Sequence, residues 1–399
     1  MMYNNNKKDI ELFDLPDFQD QDFQCNPYPY YAAARKEHPV FWSPRHRQYF
    51  VLSADALHHV MVKRDFIVDT PFRASRILFG RTVMDVDGEE HTRLRSIING
   101  SFVPARYDDY VENIVRPVIQ EQLAPLRAKN GGDFIGEFAN HIPTKVMSQI
   151  IGIPVQDYRE FFELTLPIIR YLDVANRETL VAAKASMTIL KKMVITLCDQ
   201  QRSEPDNSVI GGLIQAQRDG ASISDDEIIR QIGLLIPAAI DTTNRLIGNA
   251  LYLLTQNPEW QARLREQHAL LPAFVEEVMR FEPPIHSSVR ICKKSVSVLG
   301  VELEQGALLN INFAAANRDE SRFDNPNEFN PLRANVKRHF SFGGGKHQCM
   351  GRLLATREVI EVLQAVLADA RQLTFASGYS PAIEGVAFRS PAQLHLQWK

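Results

Sequence analysis

Residues 340–351 read Phe-Ser-Phe-Gly-Gly-Gly-Lys-His-Gln-Cys-Met-Gly, and a strongly helical run, Arg-Leu-Leu-Ala-Thr-Arg-Glu, follows at 352–358. The pattern predicts a glycine-rich loop that delivers Cys349 to the first turn of a helix, where free backbone N–H groups stabilise a thiolate. Because glycines carry no side chains, a flat and bulky cofactor can approach the loop backbone closely. A lone cysteine is more often a small hydrophobic residue than a ligand, so the loop alone leaves both interpretations open.

The composition restricts the class of protein. The chain has 399 residues, of which 45% are hydrophobic and 23% charged, and this balance excludes disordered and fibrous proteins. The formal net charge of -3 gives no general attraction to nucleic acid or anionic lipid. The cysteines contain no C-x-x-C pair, which excludes a disulfide framework and a zinc ribbon and suits the reducing cytosol. They are Cys25, Cys198, Cys292 and Cys349.

The N-terminus predicts the location. Residues 1–21 are polar and acidic without an apolar core, so they form neither a signal peptide nor a membrane anchor. The most apolar run elsewhere, 232–240, is far shorter than the roughly 20 residues that span a bilayer. We therefore expect a cytoplasmic protein. Length alone suggests about two or three domains, but the absence of repeats and linkers favours a polar tail at 1–26 and a single domain at 27–399.

Periodicity predicts a mainly helical fold with small β-sheets. Helical spacing of apolar residues dominates between 54 and 257, interrupted by an irregular stretch at 65–87 and a polar connection at 201–222. Alternating patterns predict strands toward both ends of the chain. The other predicted elements are a helix at 27–36, a hairpin around 45–47, strands between 288 and 313 and a last strand at 394–398.

One predicted helix is unusually long and apolar. Ser224 and Glu227 form a capping box, and the helix extends to about residue 257 with a middle that is apolar nearly all round, so it should cross the core. Pro237 removes a backbone donor and predicts a kink. The Asp-Thr-Thr sequence at 241–243 places polar groups where the core should be dry. A threonine that bonds back to the i−4 carbonyl would be structural, whereas a buried polar cluster that needs partners marks a candidate site.

The motif Phe342-x-x-Gly345-x-x-x-Cys349-x-Gly351 resembles the haem-binding signature of the cytochrome P450 superfamily of haem-thiolate monooxygenases. Further segments that resemble this family occur in the expected order, and the resemblance covers about residues 27–399 and fits the soluble bacterial branch. They are 91–95, the helix that holds the haem propionates; 238–243, the oxygen-binding segment; Glu277-x-x-Arg280, the E-x-x-R pair; 317–319, which leads into the next segment; and 329–333, which supplies Arg333 to that ion-pair cluster.

The resemblance implies haem b as the cofactor, bound between the long central helix and the loop of Cys349, whose thiolate ligates the iron. It also implies cationic side chains around the two haem propionates, because buried charges must be paired. Without the resemblance, His91 and Arg95 would be a solvated helix face, and Glu277 with Arg280 an ordinary surface pair. The implied haem-contacting residues are His91, Arg95, Ala238, Arg290, Phe342, Gly343, His347, Cys349 and Gly351.

The implied reaction is the hydroxylation or epoxidation of an apolar small molecule with O2 and two electrons, in secondary metabolism. A cysteine ligand favours cleavage of the O–O bond, and that cleavage consumes protons at a site that otherwise excludes water. Asp241 suits a proton relay from solvent, and Thr242 suits a hydrogen bond that steers the proton to the distal oxygen. Two residues depart from the family pattern: Ala239 stands where glycine is usual, and Pro237 is unusual.

Two other interpretations remain open. The first is a haem-thiolate enzyme that uses peroxide directly or rearranges an oxidised lipid, although such relatives typically lack an acid–alcohol pair such as Asp241 with Thr242. The second is a non-catalytic haem-binding sensor or carrier, which would need no proton relay. Turnover with reducing equivalents, as opposed to peroxide, separates these possibilities.

The substrate pocket is predicted from the resemblance alone. Its roof falls at 65–84, where Arg73, Arg76 and Arg81 are either solvated or contact a carboxylate or a carrier-bound acyl group. His286 either orients a polar substrate atom or is an exposed or core histidine. The implied lining is apolar, as ligand pockets mostly are. It comprises Phe72, Leu78, Ile236, Pro237, Ile240, Ile285, Val289 and Phe388.

The electron source is predicted to be a second protein, because the sequence shows no flavin-binding extension. A ferredoxin or flavodoxin with an NAD(P)H-dependent reductase would supply the electrons. Basic residues near the thiolate would suit an acidic electron-transfer protein. They are Lys346, Arg352, Arg357 and Arg93. We expect a monomer, with neither nucleic acid nor a membrane as a partner.

Overall fold

The computed structural model describes residues 12–399 except 101, 103, 155, 157, 370 and 371, so residues 1–11 of the predicted tail lie outside it. Contacts between Cα atoms divide the chain into two compact units. The first unit is drawn from Met1–Val68, Glu276–Cys349 and Ile383–Arg389. The second unit is drawn from Asp69–Val275, Met350–Ala382 and Ser390–Lys399.

The structure is 57% helical with small sheets, which confirms the predicted fold class. Helices of the first unit are α1 (Gln21–Cys25), α2 (Tyr28–Glu37), α3 (Ala54–Val62) and α15 (Phe313–Asn317). Those of the second unit are α4 (Ala74–Phe79), α5 (Gly88–Asn99), α6 (Tyr107–Tyr110), α7 (Arg116–Lys129), α8 (Ile142–Ile151), α9 (Tyr158–Asp173), α10 (Arg177–Gln201), α11 (Val209–Arg218), α12 (Asp225–Gln256), α13 (Pro258–Glu266) and α16 (Arg352–Asp369). Helix α14 (Leu271–Phe281) begins in the second unit and ends in the first.

The strands are β1 (Val40–Ser43), β2 (Gln48–Val51), β3 (Phe66–Ile67), β4 (Gly131–Asp133), β5 (Ser287–Cys292), β6 (Val296–Val298), β7 (Val301–Leu303), β8 (Leu308–Asn312), β9 (Leu373–Phe375), β10 (Ile383–Glu384), β11 (Ser390–Pro391) and β12 (His395–Trp398). In the first unit, β1-β2-β8-β5-β3 form one sheet, and its β1–β2 hairpin confirms the turn predicted around 45–47. The same unit contains the β6–β7 hairpin, which lies in the stretch predicted to form strands. In the second unit, β4-β12-β9 form a three-stranded sheet.

Helix α12 forms the centre of the second unit, where it contacts α8, α10 and α16. Its start confirms the predicted capping box, since the Ser224 side chain accepts from the Glu227 amide (3.2 Å) and the Ser224 amide donates to Glu227 Oε2 (2.8 Å). The helix continues through Pro237. Gly233, the residue four positions earlier, packs closely, because a Cβ there would lie 3.1 Å from Met187 Cε.

The structure adds short elements that the periodicity missed. Helix α4 and strand β3 lie in the stretch predicted to be irregular, and α11 lies in the predicted polar connection. Such elements contain too few turns to produce a clear period. Helix α11 begins with a serine N-cap, a residue type that the sequence shows at this position. The Ser208 hydroxyl accepts from the Gly211 amide (3.0 Å). Part of the segment predicted to be a polar tail is folded, since α1 lies there and Leu15 and Phe23 are fully buried.

No helix in the described ranges is both long enough and apolar enough to cross a membrane.

One carboxyl group of α16 is buried, and one of its oxygens has no partner among the described residues. Glu358 is 1% exposed, and its Oε1 has no hydrogen-bond partner among the described residues. Burial raises the pKa of Glu358 from 4.5 to about 8, because a low dielectric disfavours the charged form. The side chain is therefore a neutral carboxylic acid at neutral pH.

Protein stability should fall as the pH rises between these two pKa values. The unfolded chain releases the Glu358 proton near pH 4.5 while the folded chain keeps it to about pH 8, so this group lowers the free energy of unfolding by about 1.4 kcal/mol per pH unit in that window. Glu358→Gln should remove this slope, as measured by urea unfolding at several pH values. The control is Glu361→Gln, a carboxylate of the same helix that pairs with Arg116, and it should keep the slope. An unchanged slope in Glu358→Gln would contradict the neutral state.

Candidate functional site

The loop that carries Cys349 is held against α3 by close backbone contacts. Gly343 and Gly345 have φ values of 66° and 62°, in the region that favours glycine. A Cβ at Gly345 would lie 2.5 Å from the Met61 carbonyl oxygen, so no side chain fits there without a shift. The Cys349 amide donates to the Phe342 carbonyl oxygen (2.9 Å), which closes the loop. The thiol of Cys349 is exposed.

The position of Cys349 differs from the prediction. Helix α16 begins at Arg352, and the Ala355 amide bonds to the Gly351 carbonyl oxygen (2.9 Å) at its start. The cysteine therefore precedes the first helical turn instead of lying in it. The reason is local, because the 3₁₀ turn Gly345–His347 and the closure onto Phe342 occupy the chain between the glycines and the helix.

The first unit contains several of the other predicted haem-contacting residues. Arg290 is buried on β5, and its Nη1 donates to the Val289 carbonyl oxygen (2.8 Å). Phe342 is buried with its ring centroid 5.8 Å from that of His339. The predicted residues that lie in this unit are Arg290, Phe342, Gly343, His347 and Cys349.

The predicted ion-pair cluster is confirmed in the first unit. Glu277 and Arg280 are fully buried and meet in two hydrogen bonds of 2.7 Å. Arg333 Nε donates to the same carboxylate (3.1 Å), and so does the Asn330 amide (2.7 Å). Glu277 and Arg280 are fully buried and the Arg333 side chain is 7% exposed, so the cluster supports the fold.

Helix α5 of the second unit carries the predicted pair His91 and Arg95. His91 is buried and Arg95 half-buried, on the side of the helix where Leu94 and Ile98 enter the core. This arrangement excludes the alternative of a fully solvated helix face. The other predicted haem-contacting residues in the second unit are Ala238 and Gly351.

The acid and the alcohol of α12 both have partners within the helix. Asp241 is buried, and Arg245 Nε donates to its Oδ1 (3.0 Å) and Oδ2 (2.9 Å). Arg245 Nη1 in turn lies 3.4 Å from Ser390 Oγ. The Thr242 hydroxyl donates to the Ala238 carbonyl oxygen (2.7 Å). Thr242 therefore bonds back to the i−4 carbonyl, which is the structural role considered for a threonine at this position.

Burial raises the pKa of the Asp241 carboxyl, and the Arg245 guanidinium opposes that rise. The two effects leave a carboxyl that is easier to protonate than a solvated aspartate, which suits proton transfer. Arg245 was missed by sequence reasoning. The signal was present, because residues four apart on a helix are neighbours and an acid preceding a base at this spacing favours a pair.

The predicted pocket residues divide between the units. In the second unit Ile236, Pro237 and Ile240 are buried on α12, Leu78 is half-buried, and Phe72 is 57% exposed. In the first unit, a bridge pairs Ile285 with Phe388, and Val289 is half-buried on β5.

His286 is a core histidine. It is fully buried, and its Nε2 lies 3.3 Å from the Tyr28 hydroxyl, which also donates to Glu282 Oε2 (2.9 Å). Burial lowers the pKa of His286 well below 6.5, so the ring is neutral. Its Nε2 therefore has a partner inside the fold, whereas its buried Nδ1 has none among the described residues.

The donor chemistry of the described residues fits haem. The loop presents one exposed thiol, Cys349, beside glycines that leave its backbone accessible, and the same unit holds the buried cation Arg290. In the second unit, His91 and Arg95 share one helix. A single thiolate for iron and several cations for two propionates are the groups that a haem-thiolate site requires.

Comparisons with known proteins agree with this chemistry. A family model described as Cytochrome P450 matches residues 155–370. Cytochrome P450 CYP107DY1 of Priestia megaterium (strain ATCC 12872 / QMB1551) is 31% identical, over 69% of this chain and 66% of its own. Biotin biosynthesis cytochrome P450 of Bacillus subtilis (strain 168) is 27% identical, over 89% of this chain and 92% of its own. A crystal structure of P450BioI in complex with hexadec-9Z-enoic acid ligated acyl carrier protein matches with a TM-score of 0.88 and 25% identity, over 95% of this chain and 100% of that chain.

Two glycines of the loop should differ in their tolerance of alanine. Both have positive φ, which costs an alanine about 1–2 kcal/mol, but only at Gly345 would the new Cβ meet backbone, 2.5 Å from the Met61 oxygen. At Gly343 the nearest atom lies at 3.6 Å. Gly345→Ala should therefore lower the free energy of unfolding by about 1–3 kcal/mol more than its control, Gly343→Ala. Urea unfolding checks this, and equal losses would show that the contact with α3 does not hold the loop.

Proposed function

Because the chain belongs to the cytochrome P450 family, we propose that Cys349 ligates the iron of haem b and that the enzyme hydroxylates or epoxidises an apolar small molecule. At the level of the family the protein is a monooxygenase. The observation that carries the proposal is the loop of Cys349, which offers an exposed thiol on a backbone fixed by Gly345 against Met61.

When bound, haem supplies the iron centre at which oxygen is activated, and a cysteine ligand favours cleavage of the O–O bond. The protein contributes binding and orientation. Arg290 and His347 of the first unit, and His91 and Arg95 of the second, would neutralise the two propionates. Phe342, Gly343, Gly351 and Ala238 would contact the macrocycle as the resemblance implies.

Proton supply is the task proposed for Asp241 and Thr242. The Asp241 carboxyl has a raised pKa, so it takes a proton from solvent more readily than an exposed aspartate. To pass it on, the carboxyl must loosen its contact with Arg245, which now holds both oxygens. The Thr242 hydroxyl must likewise turn from the Ala238 carbonyl to direct its hydrogen bond to the reacting oxygen.

Electrons would come from a ferredoxin or flavodoxin with an NAD(P)H-dependent reductase. Lys346 is exposed and Arg352 half-buried, and both suit an acidic electron-transfer protein. The other two basic residues predicted for this contact already have acidic partners, Arg93 with Glu227 and Arg357 with Asp108. We assign the docking role to Lys346, which is exposed.

The substrate is proposed to be an apolar metabolite of secondary metabolism. The relative named for biotin biosynthesis and the solved complex with a fatty-acyl carrier protein support an apolar chain as one such substrate. The buried aliphatic residues Ile236 and Ile240 agree with this chemistry. The proposal further places the enzyme in the cytoplasm as a monomer, with 27–399 as its haem-binding domain.

Reconstitution tests the reaction class. The holoprotein with NADPH, a surrogate ferredoxin and its reductase should consume O2 and form an oxygenated product from an apolar ligand selected by the haem spin shift. Cys349→Ala should lose the thiolate-type spectrum of the ferrous–CO complex, whereas the control Cys25→Ala, at another exposed cysteine of the first unit, should keep it. Activity with peroxide but not with NADPH would assign the alternative peroxide-using enzyme, and haem binding without turnover would assign a sensor.

Removing Arg245 should raise the pKa of Asp241 further, because an adjacent cation favours the ionised carboxylate. In Arg245→Leu the carboxyl should stay protonated to a pH higher by about 1–3 units, and the pH profile of product formed per NADPH should move in the same direction. Infrared difference titration of the carboxyl band, identified by its loss in Asp241→Asn, measures the pKa directly. Arg230→Leu is the control, since it removes an ion pair with Asp226 at the same spacing in the same helix. An unchanged carboxyl titration in Arg245→Leu would contradict the coupling.

A further inference from the structure

Three arginines of the segment around α4 have similar sequence surroundings but different partners. Arg73 donates to the Met84 carbonyl oxygen (3.0 Å) and lies 3.8 Å from Asp85. Arg81 pairs with Glu90 and with Asp69 (3.2 Å). Both side chains are therefore neutralised within the second unit.

Arg76 differs from the other two. Its Nη1 is buried, and no acceptor lies within hydrogen-bonding distance of it among the described residues. A buried charged donor without a partner is costly, and native proteins rarely leave one unsatisfied. The described part of the second unit therefore supplies no acceptor to this end of the side chain.

The acidic groups of this segment are already engaged. Asp85, fully buried, accepts from the hydroxyls of Ser75 (2.5 Å) and Thr82 (2.6 Å) in addition to its contact with Arg73. Asp69 and Glu90 are held by Arg81. No carboxylate of these three can turn to Arg76 without leaving its own donors.

The neighbourhood of Arg76 combines positive charge with apolar surface. On the same helix Ile77 is 43% exposed, and Phe72, just before it, is 57% exposed. At the end of α4, Gly80 packs against the side chain of a further arginine, Arg230, since a Cβ at Gly80 would lie 3.3 Å from Arg230 Cδ. A ligand that suits such surroundings carries an anionic group on an apolar body.

We propose that Arg76 binds the anionic head group, carboxylate or phosphate, of an otherwise apolar substrate. The guanidinium is planar and presents paired N–H donors that match either group. This inference deepens the proposed function by naming the substrate class, and it rests on that function for the role of α4 in the pocket. It makes Arg76 a specificity-determining residue and gives Arg73 and Arg81 structural roles.

Equilibrium dialysis of the purified holoprotein tests the inference without turnover. The linear probes are dodecanoate, dodecyl phosphate and the neutral 1-dodecanol, and the polycyclic probes are lithocholate and its methyl ester. At least one anion should bind about 10–100-fold more tightly than its neutral counterpart, the range expected for a charge-assisted hydrogen bond. Dodecanoate and dodecyl phosphate distinguish a carboxylate from a phosphate preference.

Substitutions assign the preference to one residue. Arg76→Gln should reduce it to less than about threefold while the Kd of the neutral probe stays unchanged, and Arg76→Lys should retain part of it, because an ammonium keeps the charge but loses the paired donors. The control Arg81→Gln should retain all of it. Since Arg76→Gln removes a charge that has no partner, its urea unfolding should match the parent or exceed it, which separates a binding defect from misfolding.

Failure of this inference can be distinguished from failure of the proposed function. A charge preference that survives in Arg76→Gln, or that is lost equally in Arg81→Gln, would overturn the inference. The absence of any preference, including failure of all the probes to bind, would overturn it as well. A preference that depends on Arg76 in a protein without NADPH-driven turnover would support this site and contradict the monooxygenase proposal.

Discussion

Neutralisation of the buried Glu277 carboxylate organises the first unit. A fully buried carboxylate is strongly destabilising unless it is paired, and here Arg280 and Arg333 both supply charge. The two guanidiniums have further donors, and those of Arg280 bind the carbonyl oxygen of Asn317 at the end of α15 (3.0 Å) and that of Pro326 in the irregular segment that follows (2.8 Å). One buried charge thereby fixes a stretch of chain that has little regular structure of its own and that leads to the loop of Cys349.

Features encoded by short spacings were predictable from the sequence. The capping box of Ser224 and Glu227 and the pairing of Glu277 with Arg280 need only three residues of separation, so local rules describe them correctly. The length and burial of α12 followed from the same kind of pattern. The position of Cys349 before the helix was harder to predict, because the 3₁₀ turn at Gly345–His347 and the closure of the Cys349 amide onto Phe342 have no clear periodic signal in the sequence.

Side-chain environments set by tertiary packing were not predictable. Glu358 follows an arginine in a helix with charged ends, a pattern typical of surface, yet packing of α16 buries it and raises its pKa to about 8. Arg73, Arg76 and Arg81 have no sequence feature that separates them, and only the fold shows which two find acceptors. Composition therefore predicts how many charges a segment has, whereas the partners of those charges determine which one is left to bind a ligand.

The polar groups of α12 are accommodated in a core helix by contacts within that helix. Asp241 and Thr242 are satisfied by residues four positions away, Arg245 and Ala238, so the dry helix contains no unmet polar group at this pair. Exchange of the Thr242 partner is inexpensive, because a hydrogen bond is worth about 0.5–1.5 kcal/mol net, whereas the buried Asp241 carboxylate needs a proton or another cation before it leaves Arg245. Burial has already raised the pKa of the acid. The same contacts make the polar residues tolerable in the core, and the proton relay proposed for them requires both contacts to be exchanged.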